Sequence, residues 1–149
     1  MTSRLSRIAA GAIGLFLLTA PSVGLAAGAT TIRIDVNDVA GVESFTTTGG
    51  VLCPDGIATT DFHHFGGDFG GHGAAGSFHL TKTLDCEDGS GTFTIRVNAA
   101  TVFGSPTDQG GWSVASGTGD YEGLVGGGYL VGTYVETGII DLYTGVVSN

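Results

Sequence analysis

The stretch FHLTKTLDCEDGSGTFTIRVNA, residues 78–99, decides the class of fold. Apolar and polar side chains alternate along residues 78–86 and again along residues 92–99, and a period of two is typical of a β-strand with one buried face. Between the two runs lies EDGSG, residues 87–91, and an Asp-Gly step between alternating runs is a strong signal for a tight turn. The stretch therefore predicts an antiparallel β-hairpin.

One face of this hairpin is predicted to be apolar. The opposite face carries mainly threonines and charged residues, as expected for a strand with one solvated side. Lys82 is the exception, because it is a charged residue at a position of the apolar face. The other members of that face are Phe78, Leu80, Leu84, Cys86, Phe93, Ile95, Val97 and Ala99.

The rest of the chain repeats the same pattern, and no segment has a convincing helical period. Alternation and turn residues predict further strands over residues 31–36, 42–53, 111–116, 124–135 and 138–147. Seven or eight strands without helices predict an all-β, antiparallel barrel that is closed or nearly closed, with a sandwich as the alternative. The barrel is favoured because glycines within the strands help a sheet to coil and close.

A second informative stretch is WSVASGTGDYEGLVGGG, residues 112–128. It reads as a strand, a tight turn and a second, coiled strand, with Gly117, Gly119, Tyr121 and Gly123 as the turn motif. The pair Gly117-x-Gly119 lacks the third glycine and the βαβ context of a dinucleotide site. The motif therefore predicts architecture and no phosphate chemistry.

This stretch resembles the G-T-G-x-[F/Y] region of the allene oxide cyclase and dirigent barrel superfamily. With residues 53–56 (CPDG), 86–91 (CEDGSG) and 141–145 (DLYTG), the chain is also similar to a group of small secreted actinobacterial proteins of unknown function. The resemblance implies an eight-stranded antiparallel barrel with an apolar internal cavity, often trimeric in the plant members. In dirigent proteins that cavity steers the coupling of phenolic radicals, and in the cyclase it holds an oxidised fatty acid. No position here matches the functional residues of those proteins, so none is carried over.

The N-terminus has the pattern of a Sec-type signal peptide. Arg4 and Arg7 precede an uncharged apolar run over residues 8–20, and small residues follow, which favours cleavage after Ala26, with Ala27 or Gly28 as near alternatives. The sequence thus predicts a signal peptide over residues 1–26 and a single secreted domain over residues 27–149. No later segment is long and apolar enough to predict a stable membrane anchor.

The predicted mature domain is strongly acidic. It keeps three basic residues against all 14 acidic residues, a net charge of −11. Such a surface repels nucleic acids and anionic membranes, so neither is expected as a partner. Solubility outside the cell is a simpler reason for the charge than an acidic recognition face.

The two cysteines, Cys53 and Cys86, both lie in the predicted secreted part. In an oxidising compartment they are expected to pair with each other. A reactive or metal-binding thiol pair is the alternative, although the spacing is not C-x-x-C.

The segment DFHHFGGDFGGH, residues 61–72, with His79 beyond it, holds all four histidines of the chain. Imidazole and carboxylate groups suit Zn²⁺ or Cu²⁺, so His63, His64, His72 and His79 are the candidate metal ligands, and no other cofactor is expected. Their spacing fits no established metal motif. The alternative is a mobile surface loop whose phenylalanines tuck onto the mouth of the barrel.

Three hypotheses for the function follow. The first is a non-catalytic secreted barrel that binds a small apolar ligand. The second is an enzyme of the cyclase or dirigent type, for which Arg33, Asp35 and Arg96 are the candidate interior charges. The third is an extracellular interaction protein, and the oligomeric state stays open. Five aromatic residues are further candidates for the lining of a ligand pocket, and ordinary packing in the core is the alternative role for them. They are Trp112, Tyr121, Tyr129, Tyr134 and Tyr143.

Overall fold

The computed structural model describes residues 29–67 and 74–149, and most of these residues lie in β-strands. The predicted signal peptide, residues 1–26, lies outside the described residues. A short 3₁₀ helix, Gly119–Tyr121, lies between the sixth and seventh strands. The strands are β1 Thr30–Val39, β2 Val42–Thr48, β3 Asp55–Gly67, β4 Ala75–Cys86, β5 Thr92–Val102, β6 Thr107–Gly117, β7 Val125–Val135 and β8 Gly138–Ser148.

The strands form a closed antiparallel barrel. Each strand pairs with the next one along the chain, and β8 returns to pair with β1. The closing ladder places Thr30 opposite Val147 at one end and Val39 opposite Gly138 at the other. The prediction of an all-β, eight-stranded, closed barrel is confirmed.

The hairpin of residues 78–99 is also confirmed, and its apolar face lines the barrel interior. β4 and β5 pair up to Asp85 opposite Thr92, so residues 87–91 form the turn. Leu84, Ile95 and Val97 are almost completely buried. The strand predicted over residues 42–53 is shorter than expected, because the chain turns after Thr48 toward β3.

The interior is filled with side chains at the end of the barrel that carries the hairpin turn. The ring of Phe93 makes edge contacts with Phe45 and with Tyr121, at centroid distances of 5.9 Å and 5.3 Å. Leu52 and Leu124 are buried in the same cluster. This end is a packed hydrophobic core.

The predicted turn motif closes this packed end. Tyr121 is buried, and its hydroxyl accepts a hydrogen bond from the backbone N–H of Cys53 at 2.9 Å and lies 2.9 Å from Ser90 Oγ. Gly117 is required for the close approach of this turn, because a Cβ there would lie 2.0 Å from the carbonyl oxygen of Tyr121. The motif therefore has a structural role in the turn.

Cys53 and Cys86 form a disulfide across the same end of the barrel. Both are buried, and the bond ties the turn between β2 and β3 to the last residue of β4. The predicted pairing is present in the structure.

Candidate functional site

The opposite end of the barrel holds a cavity of about 470 Å³. Its walls come from the ends of the strands that meet near the turns joining β5 to β6 and β7 to β8. The lining is mainly apolar, and four phenylalanines and one tyrosine contribute to it, but it also carries charged groups. The aromatic residues are Phe62, Phe65, Phe78, Phe103 and Tyr134.

A bulge in β3 brings two of these rings to the cavity. Phe62 lies opposite Leu80 of β4, whereas His64 lies opposite His79, so His63 is an extra residue in the ladder. One extra residue shifts the alternation by one position, so that Phe62 and Phe65 both line the cavity although they are three residues apart. The alternative of a surface loop over residues 61–72 is therefore wrong for residues 61–67, which are part of β3, and residues 68–72 lie outside the described residues.

Lys82 lies at the centre of the charged part of the wall. Its side chain is 3% exposed, and its Nζ donates a hydrogen bond to Thr60 Oγ1 at 2.6 Å. The same Nζ lies 3.7 Å from a carboxylate oxygen of Glu43 and 3.7 Å from one of Asp141. The hydroxyl of Thr60 in turn donates a hydrogen bond to Glu43 at 2.9 Å, so the three side chains form a continuous chain of hydrogen bonds. The buried ammonium is thus matched by two carboxylates.

Asp141 is buried beside this ammonium. Its Oδ2 accepts a hydrogen bond from the hydroxyl of Tyr143 at 3.0 Å. Burial raises the pKa of Asp141, and the positive charge of Lys82 opposes that shift. Burial also raises the pKa of Tyr143 well above its ordinary value, so the tyrosine acts as a hydrogen-bond donor at neutral pH.

Asp108 supplies a second buried carboxylate. The residue is 2% exposed, and its Oδ2 accepts a hydrogen bond from the hydroxyl of Tyr134 at 3.2 Å. Its Oδ1 is buried and has no hydrogen-bond partner among the residues that the structure describes. Burial raises the pKa of Asp108, and the bond from Tyr134 opposes this shift. A carboxylate with one unsatisfied oxygen is costly to bury.

Gly132 separates the two carboxylates and leaves room for them. It pairs with Asp108 of β6 on one side and with Asp141 of β8 on the other. A Cβ on Gly132 would lie 2.1 Å from Oδ1 of Asp108 and 2.9 Å from Oδ1 of Asp141. Both oxygens therefore converge on the space that this glycine leaves empty.

Substitution of Gly132 by alanine is expected to displace the Asp108 carboxylate and to destabilise the barrel by about 1–3 kcal/mol, the usual cost of overpacking. Gly111→Ala is the matched control, because the added Cβ would meet only the carbonyl oxygen of Gly128, at 3.6 Å. Urea unfolding of both variants measures the difference. Equal stability of the two variants would show that the Asp108 carboxylate can move aside without lowering the free energy of unfolding.

Three of the four predicted metal ligands lie on the outer wall, away from the cavity. His63, His64 and His79 are exposed, and the rings of His64 and His79 have centroids 6.0 Å apart. His79 bonds to Asn98, and His63 lies 3.1 Å from the hydroxyl of Thr81. His72 lies outside the described residues. Among residues 29–67 and 74–149, no group of three or more histidines, cysteines or acidic residues is arranged to hold a metal ion.

The prediction that Arg33, Asp35 and Arg96 are candidate interior charges is wrong, because all three lie on the outer face of the barrel wall. Arg33 is exposed and pairs with Asp35, at 2.7 Å between Nη2 and Oδ1, and Arg96 is also exposed. The alternation places all three opposite the buried faces of β1 and β5, so they do not line the cavity. The charged groups that line the cavity are instead Lys82, which the alternation places on the apolar face of β4, and three acidic residues for which no interior position was predicted: Asp38, Asp108 and Asp141.

The aromatic candidates divide between packing and the cavity. Trp112 and Tyr143 are buried in edge contact, with ring centroids 6.3 Å apart, and Tyr121 belongs to the packed end. Tyr129 is exposed and bonds to Gln109. Only Tyr134 of this set is part of the cavity wall in the described structure.

No protein-family model, curated protein or solved structure matches this chain. Across residues 29–67 and 74–149, no helical segment has the length and apolar character needed to span a bilayer. The geometry of the cavity is therefore the basis on which a function is proposed.

Proposed function

We propose that this protein is an exported barrel that binds a small, largely apolar ligand in its cavity and does not transform it. The observation that carries the proposal is the cavity itself, about 470 Å³ at one end of a barrel whose other end is packed. Pockets for small molecules fall in this range of volume, and they combine apolar walls with a few polar groups. The cavity has the same combination.

The exposure of the aromatic residues supports ligand binding. Phe62 is 69% exposed and Phe65 is 47% exposed, although both line the cavity. When a ligand covers large apolar side chains at a concave opening, the removal of their surface from water makes binding more favourable. A bound apolar molecule would remove this surface from water.

Export is supported by two features of the chain. The N-terminal pattern of residues 1–26 is that of a signal peptide, and the structure contains a disulfide between Cys53 and Cys86. Disulfides persist in oxidising compartments. A barrel with an internal cavity is also the architecture implied by the resemblance to the allene oxide cyclase and dirigent superfamily.

The test uses N-phenyl-1-naphthylamine, a neutral fluorescent probe whose emission rises in apolar surroundings. We expect saturable binding to the purified protein and an increase of Kd by about five- to tenfold for Phe62→Ala, because the variant loses apolar contact area. Val146→Ala is the control, since Val146 is exposed and is not part of the cavity wall. Equal Kd values for Phe62→Ala and Val146→Ala would place the binding surface outside the cavity.

A second candidate function is acid–base catalysis on the same ligand. The observation in its favour is that Asp108, Asp141 and Lys82 are buried in the cavity wall, and that burial raises the pKa of both carboxyl groups. Buried groups with shifted pKa values are common at catalytic sites. Native mass spectrometry of protein from its own host, followed by incubation of the recovered ligand, separates the two functions. Conversion that Asp108→Asn abolishes supports the enzyme, and an unchanged ligand supports the binding protein.

A further inference from the structure

The charges that line the cavity are unequal in number. Among the described residues of its wall, Asp38, Asp108 and Asp141 are acidic, whereas Lys82 is the single ammonium. The other two basic residues of the predicted mature domain, Arg33 and Arg96, are exposed on the outer surface. The cavity therefore has a net negative charge when its carboxyl groups are ionised.

Lys82 does not correct this imbalance, because its charge is already shared. It lies 3.7 Å from Asp141 and 3.7 Å from Glu43, and it donates to Thr60 at 2.6 Å. A ligand carboxylate that approached Lys82 would compete with both acidic partners. The site is therefore poorly suited to an anionic ligand.

Asp108 is the carboxylate that lacks a charged partner. The groups that stabilise its charge are neutral, namely the hydroxyl of Tyr134, 3.2 Å from Oδ2, and the backbone of Gly132. Its Oδ1 has no hydrogen-bond partner within the described part of the chain. A buried carboxylate is stabilised strongly by a nearby positive charge, and weakly by a neutral donor. A cationic ligand group would supply the missing interaction.

The aromatic wall favours the same charge. Phe62, Phe65, Phe78 and Phe103 line the same cavity as the carboxylates, together with Tyr134. The face of an aromatic ring attracts a cation through the ring quadrupole, and the attraction grows when the pair is shielded from water. The same rings also contact the apolar body of a ligand.

We infer that the cavity selects small organic cations, in which a protonated amine pairs with Asp108 and an aromatic or aliphatic body packs against the phenylalanines. This inference rests on the proposed binding function, and it adds the chemical class of the ligand. A neutral ligand of the same shape leaves Asp108 without a charged partner. An anionic ligand adds repulsion from three carboxylates.

Three probes that share one apolar body test the inference at pH 7: 1-naphthylmethylamine, 1-naphthalenemethanol and 1-naphthoic acid. Isothermal titration of the purified protein is expected to give a Kd for the amine at least about tenfold lower than for the alcohol, and the weakest binding for the acid. Added salt is expected to weaken the binding of the amine more than that of the alcohol.

The matched variants are Asp108→Asn and Asp85→Asn, which remove the same charge from the cavity and from the exposed face of β4. Asp108→Asn is expected to abolish the preference for the amine, and Asp85→Asn to retain it. If the alcohol binds as tightly as the amine to the unmodified protein, the inference is overturned while the binding function stands. If none of the three probes binds, both are overturned.

Discussion

Replacement of Lys82 by methionine is expected to lower the free energy of unfolding by about 3–5 kcal/mol at pH 7, the usual cost of removing one partner from a buried ion pair. Methionine preserves the length of the side chain and its packing. It leaves Asp141 buried without a cation, and it removes the donor to Thr60 that completes the chain of hydrogen bonds to Glu43. The loss is therefore electrostatic.

The loss of stability caused by Lys82→Met should be largest near neutral pH and smaller in acid. Burial raises the pKa of Asp141 in the folded protein, and Lys82 opposes the shift, so the pKa rises further when the ammonium is removed. An acid with a raised folded pKa destabilises the fold above that pKa and ceases to do so below its unfolded value. The difference in the free energy of unfolding between the parent protein and the Lys82→Met variant should therefore become smaller as the pH falls from about 7 toward about 4, near the ordinary pKa of aspartate.

Chemical denaturation at several pH values measures this effect, and two further variants make it specific. Arg96→Met removes the same charge from an exposed position and is expected to change stability little. Asp141→Asn in the Lys82→Met background removes the uncompensated carboxylate and is expected to restore part of the stability. A deficit that is constant with pH, or that Arg96→Met shares, would contradict the electrostatic origin.

Lys82 also shows how far the sequence leads toward the site. A charged residue at an interior position of a strand is visible in the alternation of residues 78–86, and the structure places it in the barrel. Asp141 carries a similar signal, because it is a charged residue on the same face of β8 as Ile139 and Tyr143. These exceptions to the apolar pattern mark the polar wall of the cavity, and they are a better guide to it than Arg33, Asp35 or Arg96.

The other parts of the site depend on partners that are distant along the chain. The bulge at His63 is defined by pairing with β4, so the sequence spacing of Phe62 and Phe65 gives no regular period. The position of Asp108 depends on the register that places it opposite Gly132 of β7. Alternation predicts which residues share a face, but the register between strands is set only when the barrel closes.

The second large effect is expected from loss of the disulfide. Cys53→Ala combined with Cys86→Ala opens a loop with a sequence separation of 33 residues, which corresponds to about 3–4 kcal/mol in the chain-entropy description. For a domain of this size the thermal midpoint should fall by about 10–20 °C. Calorimetry of the double variant and of the reduced parent protein should give the same decrease, and a reductant should have no further effect on the double variant.

The stability lost with the disulfide should be concentrated in one part of the barrel. The ladder between β2 and β3 is short, since it runs only from Ser44 opposite Ile57 to Thr46 opposite Asp55, and the disulfide lies directly beside it. The neighbouring ladder between β3 and β4 extends from Gly56 opposite Cys86 to Gly67 opposite Gly76, so it has many more hydrogen bonds to hold it. The bond between Cys53 and Cys86 therefore acts where backbone pairing is weakest.

Hydrogen exchange of the oxidised and reduced protein tests this location. After reduction, the amides of β2 and of residues 53–57 are expected to exchange faster, whereas those of the β4–β5 and β7–β8 ladders keep their protection until global unfolding. The reason is that local opening needs to break only the short ladder once the covalent tie is gone. A uniform loss of protection over all eight strands would show instead that the disulfide stabilises the barrel only through the unfolded chain.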